Sequence, residues 1–240
     1  MSPTTIPGNL LLKNGMVITG SEKNPVDLYR SNVSLLLHGD GANGSTTIVD
    51  SSPSPKTVTP VGNAQISTAQ SKFGGASIAF DGNGDYLSAN DGDLVLGTGS
   101  FTVEAWVYLS SAGGYQAIVG SRPDSALYTD AWTLAVGPSR EFVFFTNDFI
   151  VNSGQITLSQ WSHLVVARDG SFVRGFINGQ QVGSTATNSQ NFTRSLIGIG
   201  ATAGGILEFF NGYIDDLRIT KGVARYTANF TPPTAPFPDI

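Results

Sequence analysis

The sequence predicts an all-β fold, a two-sheet antiparallel β-sandwich with short extended arms at its two ends. Three observations carry that prediction. Charged residues are 13% of the 240, well under the roughly 25% usual in soluble domains, and helical surfaces are where Lys and Glu normally accumulate. The 29 Gly and 12 Pro supply turns. Short runs that alternate apolar and polar residues recur along the chain, and no amphipathic helical pattern exceeds about two turns.

The clearest run is Phe101-Thr102-Val103-Glu104-Ala105-Trp106-Val107-Tyr108-Leu109. Its odd-numbered positions make one oily face; Thr102, Glu104, Trp106 and Tyr108 make an aromatic-polar one. That alternation predicts a central strand with its oily side against a second sheet. Ahead of it, residues 1–31 read as an N-terminal arm. Two apolar patches, 10–12 and 16–18, flank Lys13-Asn14-Gly15 as a small hairpin would, among Pro3, Pro7, Pro25, Gly8 and Gly20. The arm reads either as a linker or as an attachment segment using Leu11, Leu12 and Val17.

Residues 34–38 form a short strand before the loop Gly39-Asp40-Gly41-Ala42-Asn43-Gly44-Ser45. Pro53 and Pro55 exclude a central strand from 51–60. Strand 76–80 ends in the turn 81–85, and 86–87 and 94–96 lead into the central run. Strands follow at 117–119, 132–136, 141–145, 161–168, 172–177, 180–182, 196–200 and 213–219, with Asn178-Gly179 as a two-residue hairpin signal. So many short strands at this spacing predict a jelly roll over 32–222. Residues 223–240 are a Pro-rich C-terminal arm. Its 230–238 stretch favours polyproline geometry and offers Phe230 and Phe237 as anchors for neighbouring subunits, or else folds back on its own domain.

Net charge is −5 and the Lys and Arg are scattered singly. No basic stripe exists to neutralise phosphates, which argues against a nucleic-acid partner. With no cysteine there is neither a disulfide framework nor a thiolate metal site. The first residues lack the basic start and apolar run of a signal peptide, and no run reaches membrane-spanning length. The expectation is synthesis in a cytoplasm and no membrane partner.

Catalysis is not expected. A retaining glycoside hydrolase needs two carboxylates about 5 Å apart, whereas the four glutamates, Glu22, Glu104, Glu141 and Glu208, are widely separated in sequence. Asp215 and Asp216 are adjacent and so point to opposite faces of a strand. The two histidines, His38 and His163, lie in strand contexts and not at a nucleophile elbow. Carbohydrate binding needs aromatic platforms beside planar hydrogen-bonding groups. Tyr115, Arg122, Tyr128, Asp130, Asn147 and Asp148 supply both in loops between the middle strands, and Trp106 with Tyr108 could floor a sheet face. The competing expectation is that Trp106 and Trp132 are core.

Six motifs in order resemble the laminin-G-like, concanavalin A-like jelly-roll domains: residues 36–41, 80–87, 101–107, 161–168, 176–179 and 210–219, the last reading Phe210-Asn211-Gly212-Tyr213-Ile214-Asp215-Asp216-Leu217-Arg218-Ile219. The run 222–233 is similar to the ends of such domains in tailed-bacteriophage structural proteins. The resemblance implies a two-sheet sandwich that binds glycans or proteins. It also implies a structural Ca2+ held by Asp40 and Asp215 or Asp216, with Asp50 as a further ligand. Oxygen ligands from Gly/Asn-rich turns suit calcium, although Asp in such turns also commonly bonds its own backbone. The reading that follows is a non-enzymatic virion protein, in capsid decoration, tail fibre or baseplate. It would contact other virion proteins and copies of itself, a trimer being favoured. The alternative is a module binding surface polysaccharide.

Overall fold

In the computed structural model, which describes residues 10–11, 16–18, 26–126 and 128–239, the alternating run is a nine-residue strand, Phe101–Leu109. Eight strands precede it: β1 Leu10–Leu11, β2 Met16–Ile18, β3 Val26–Asp27, β4 Val33–Leu37, β5 Thr59–Val61, β6 Gln65–Ser67, β7 Ser77–Asp81 and β8 Tyr86–Asn90. The long strand is β9. After it come β10 Gln116–Gly120, β11 Thr133–Val136, β12 Phe142–Phe145, β13 Phe149–Ser153 and β14 Trp161–Asp169. The last four are β15 Phe172–Ile177, β16 Gln180–Thr187, β17 Leu196–Ile199 and β18 Asn211–Lys221.

Two antiparallel sheets face each other. One has the order β13-β12-β11-β10-β17-β8-β5; the other has β16-β15-β14-β9-β18-β7-β6, with β4 also paired to β18. Pro60 lies in β5, the end strand of its sheet, where a missing N–H costs no ladder bond. Phe101, Val103, Ala105, Val107 and Leu109 point between the sheets and meet Leu134, Phe142, Phe144, Ile197 and Ile199 in one core. The alternation of β9 thus assigns its even positions to the outer face of the eight-stranded sheet. Trp132 is fully buried core.

The Asn178-Gly179 turn joins β15 to β16 with both residues at positive φ, 50° and 77°. These are the angles a two-residue hairpin turn requires. In β18 the register shifts between Asp215 and Arg218, and Asp216 sits there at φ 50°, a left-handed conformation that Asp tolerates better than most residues. The bulge turns Asp216 out of the alternation, so Asp215 and Arg218 share the outer face while Leu217 stays in the core.

Both predicted arms need correction where they meet the sandwich. Leu11 pairs with Val17 across β1 and β2, which with β3 form a three-stranded sheet; Leu12 lies outside the described residues. Asp27 is 4% exposed and ion-paired to Arg218 and Arg225, so the end of the N-terminal arm is part of the domain. The C-terminal residues lie as a strap on the outer face of the eight-stranded sheet. Phe230 packs with Val165, Ala167, Phe176 and Tyr226, and Phe237 is buried against Val33 and Leu36. They are not free anchors. That sheet face carries apolar side chains and paired charges that favour cover over water, and the chain's own end supplies it.

Candidate functional site: an aromatic row on the sheet face

Strand register lays the outer face of the eight-stranded sheet out in rows across β14, β9 and β18. The first row is Trp161, Tyr108 and Tyr213, each opposite its neighbour. The second is His163, Trp106 and Asp215, and the third Val165, Glu104 and Arg218. Ala167, Thr102 and Thr220 make the fourth. Three aromatic residues side by side on adjacent strands give cross-strand contacts that hold each ring in place.

In the first row the Tyr108 ring lies 5.6 Å from Trp161 and 5.7 Å from Tyr213, tilted by 60° and 79°. These are favourable edge-type aromatic contacts. All three side chains are half-buried, their outer sides facing solvent. Gly212, beside Tyr213, permits the close strand approach there: a Cβ on it would stand 2.0 Å from the Tyr108 carbonyl oxygen.

The second row is closed. Trp106 stacks on His163 at 5.0 Å, meets the edge of Phe73 at 5.8 Å and has the Lys72 ammonium 3.9 Å above its ring centre. The loop carrying Lys72 and Phe73 is fastened by Asp215, whose Oδ2 accepts both their backbone N–H groups at 2.7 and 3.1 Å. Burial, reinforced by the charges of Asp216 and Asp40, pushes the Asp215 carboxyl up to about 7 against the pull of those two N–H groups.

The third row is a buried charge network. Arg218 donates from Nε and Nη2 to Glu104 Oε1 at 3.0 and 2.8 Å, and the Tyr226 hydroxyl donates to Oε2 at 2.9 Å. His163 Nε2 lies 3.2 Å from the same Oε2 without the alignment of a hydrogen bond. Burial alone would raise Glu104. The Arg218 charge outweighs it, with help from His163 and Arg225, and holds the carboxyl at about 2. Arg225 closes the network through two bonds to Asp27, at 2.9 and 2.7 Å. Both carboxylates are therefore neutralised by arginine and buried, an arrangement suited to holding the strap and not to proton transfer.

The strap covers these rows. Tyr226 and Phe230 stack at 3.7 Å, the Phe230 N–H donates to the Gly179 carbonyl at 2.9 Å, and the Phe237 N–H donates to Asp216 Oδ2 at 2.7 Å. Between strap and sheet is a cavity of about 720 Å3, lined by Asp27, Gln180, Arg218, Arg225, Tyr226 and the strap itself. Row one stays open.

The predicted loop residues fall into two places. Tyr115 stacks near Phe149 at 6.0 Å beside Phe145, on the outer face of the other sheet. Arg122, 2% exposed, is ion-paired to Glu208 and lies 4.2 Å over the Phe145 ring. Its guanidinium is buried inside the fold, where Glu208 and the Phe145 ring hold it away from a ligand. Asn147 bonds Gln190, and Asp148 accepts the Phe149 N–H at 2.7 Å; both are exposed. Elsewhere Tyr128 has Arg194 4.2 Å over its ring and donates to Asp124 at 3.0 Å, while Asp130 pairs with Arg194 at 3.0 Å.

The four predicted calcium ligands do not assemble. Asp50 accepts from Leu36, Ser52 and Lys56 backbone N–H groups and from the Ser52 hydroxyl, which consumes it as a loop anchor. Asp216 is taken by His38, whose Nδ1 is 2.5 Å from Oδ1, and by the strap at Phe237. Burial works against a charged imidazole, but the Asp216 hydrogen bond and charge raise His38 above its usual value. Asp40 is exposed. Among the described residues no three His, Asp or Glu side chains gather as a metal ion requires.

Trp161, Tyr213 and Lys72 escaped the sequence reading. Trp161 and Tyr213 each open a strand motif, which was the available signal, but only the register shows that they flank Tyr108.

Residues 81–225 match the family model described as the Concanavalin A-like lectin/glucanases superfamily. No curated protein matches the sequence. Domain 4 of AbnA, a GH43 extracellular arabinanase from Geobacillus stearothermophilus solved with arabinotriose, is similar at TM-score 0.60 and 19% identity, over 80% of this chain and 94% of that one. A structure of botulinum neurotoxin type C, whose cell entry depends on interaction with two ganglioside molecules, is similar at TM-score 0.57 and 15% identity. There 82% of this chain is covered and 50% of the other, so this chain spans about half its length. Trypanosoma rangeli sialidase gives TM-score 0.55 and 14% identity, over 81% of this chain and 31% of that one. At these identities the likeness is one of fold, a lectin-like sandwich.

Proposed function

Because this chain belongs to the Concanavalin A-like lectin/glucanases superfamily, we propose that it is a non-catalytic glycan-binding module whose platform is the Tyr108–Trp161–Tyr213 row. The observation that carries the reading is that row: three half-buried rings on adjacent strands, left uncovered by the described residues while the strap closes the charged rows beside it. Sugar rings offer C–H faces that stack on aromatic rings and hydroxyls that bond polar neighbours. The exposed Ser110 and the half-buried Asn211 stand at the next step of the same strands. An arabinanase domain seen with arabinotriose and a toxin dependent on gangliosides support the ligand class. Tyr115 with Asn147 and Asp148, and Tyr128 with Asp130, are secondary candidates. The test is a glycan array followed by calorimetry on Trp161→Ala and Tyr108→Ala. Losing one stacked ring is expected to weaken binding roughly tenfold or more. Unchanged affinity in both variants refutes the platform.

The setting we infer is the surface of a tailed-phage particle, as capsid decoration, tail fibre or baseplate component, on the strength of the run 222–233. Self-association would then use the N-terminal segment of Leu11, Leu12 and Val17, since Phe230 and Phe237 serve their own domain. Light scattering is expected to give a trimer; a monomer at all concentrations rules out self-assembly.

A further inference from the structure

We infer that the aromatic row takes an acidic saccharide, with Lys72 as the residue that selects the anionic group. The inference rests on the platform reading above and adds the ligand's charge.

Lys72 is half-buried in the loop that leads into β7. Its ammonium stands 3.9 Å above the Trp106 ring centre and 5.5 Å from that of Phe73. Among the described residues, no carboxylate pairs with it. The two rings anchor the ammonium by cation–π attraction and leave its remaining N–H donors unclaimed. The loop itself is fixed at the base, since the Lys72 and Phe73 N–H groups both end on Asp215 Oδ2.

Position makes this charge relevant to the row. Trp106 precedes Tyr108 by two residues on one strand, so their side chains stand side by side on one face, roughly 7 Å apart. A pyranose or furanose ring stacked on Tyr108 and Trp161 therefore places a substituent within reach of a cation already held against aromatic faces. Hydroxyls alone do not need a cation; a carboxylate or sulfate does. Two other cations of this face, Arg218 and Arg225, are consumed by Glu104 and Asp27 beneath the strap. On the opposite flank Asp81 is exposed, and its carboxylate bonds Asn63 and the Asn83 N–H. Because the whole chain carries −5, attraction is local to this loop and does not come from the overall field.

The test is a panel of acidic polysaccharides, such as polygalacturonate, hyaluronan and a sulfated galactan, each paired with its carboxyl-reduced or desulfated form. The intact chain and Lys72→Met, Lys72→Arg and Trp161→Ala variants are compared, with thermal unfolding to verify each fold. The intact chain is expected to prefer an acidic member over its neutral partner by roughly tenfold, as a charge-assisted hydrogen bond allows, and added salt should erode the preference. Lys72→Met should abolish the preference while keeping neutral binding, Lys72→Arg should keep it, and Trp161→Ala should weaken both forms. Equal binding of paired forms by the intact chain, or a preference that survives Lys72→Met, overturns the inference. If Trp161→Ala changes nothing, or no member binds, the platform reading itself has failed.

Discussion

Substituting Glu104→Gln tests how the fold holds its C-terminal strap. Glu104 is fully buried, and the network around it is balanced: Glu104 and Asp27 against Arg218 and Arg225. The amide leaves two guanidinium groups sharing one carboxylate, with Arg218 reaching Asp27 at 3.2 Å while Arg225 holds the same group at 2.7 Å. It also turns an acceptor of the Arg218 fork into a group that presents N–H in one orientation. Removing one partner of a buried pair costs about 3–5 kcal/mol. An independent route agrees. Glu104 sits at about 2 in the fold against an ordinary 4.5, a gap worth roughly 3 kcal/mol.

The sign follows from a lowered carboxyl: the stabilisation is complete above pH 4.5 and is lost as pH falls towards 2. Urea unfolding at pH 7 should show Glu104→Gln about 3–5 kcal/mol less stable, a drop in Tm of about 6–20 °C for a chain of this size. Between pH 4.5 and 2 the variant should lose less additional stability than the parent. A deficit under about 1 kcal/mol at pH 7, or an acid limb identical to the parent's, would refute the account of the network.

Three further outcomes are expected. Asp215, raised to about 7, contributes stability that is present below pH 3.8 and lost as pH rises through 7; His38, raised by Asp216, loses its contribution in the same direction. Unfolding midpoints should therefore fall from about pH 4 to 7, and Asp215→Asn, whose carbonyl can still accept both N–H groups, should flatten that slope; an unchanged slope would exonerate Asp215. Gly179→Ala would place a Cβ 2.0 Å from the Phe230 carbonyl oxygen at a positive φ. It should lift the strap and speed proteolysis between 223 and 239, with a stability loss of about 1–3 kcal/mol; unaltered proteolysis would mean the strap is not seated through this turn. Phe237→Ala, emptying a buried site against Val33 and Leu36, should cost about 3–5 kcal/mol in urea unfolding, and a cost near zero would show that the strap's end is dispensable.

What the sequence determined by itself is local and periodic. The alternation of 101–109 assigned each β9 side chain to core or outer face, because a strand has no other way to place them. Asn178-Gly179 specified its turn because few residues accept two positive φ angles. The isolation of Glu104 from other glutamates argued against a paired-carboxylate hydrolase. What only tertiary structure decided is everything that depends on register and on which surface a flexible end covers. Trp161, Tyr108 and Tyr213 become one platform through pairings that join residues 53 and 105 positions from the central one. Asp27 and Arg225 meet across 198 residues, which no local pattern encodes. Phe230 and Phe237 read as anchors for a neighbour, with their own domain as the alternative. The choice fell to the apolar and charged rows of β14, β9 and β18, whose exposure to water costs more than ordering the strap that buries them.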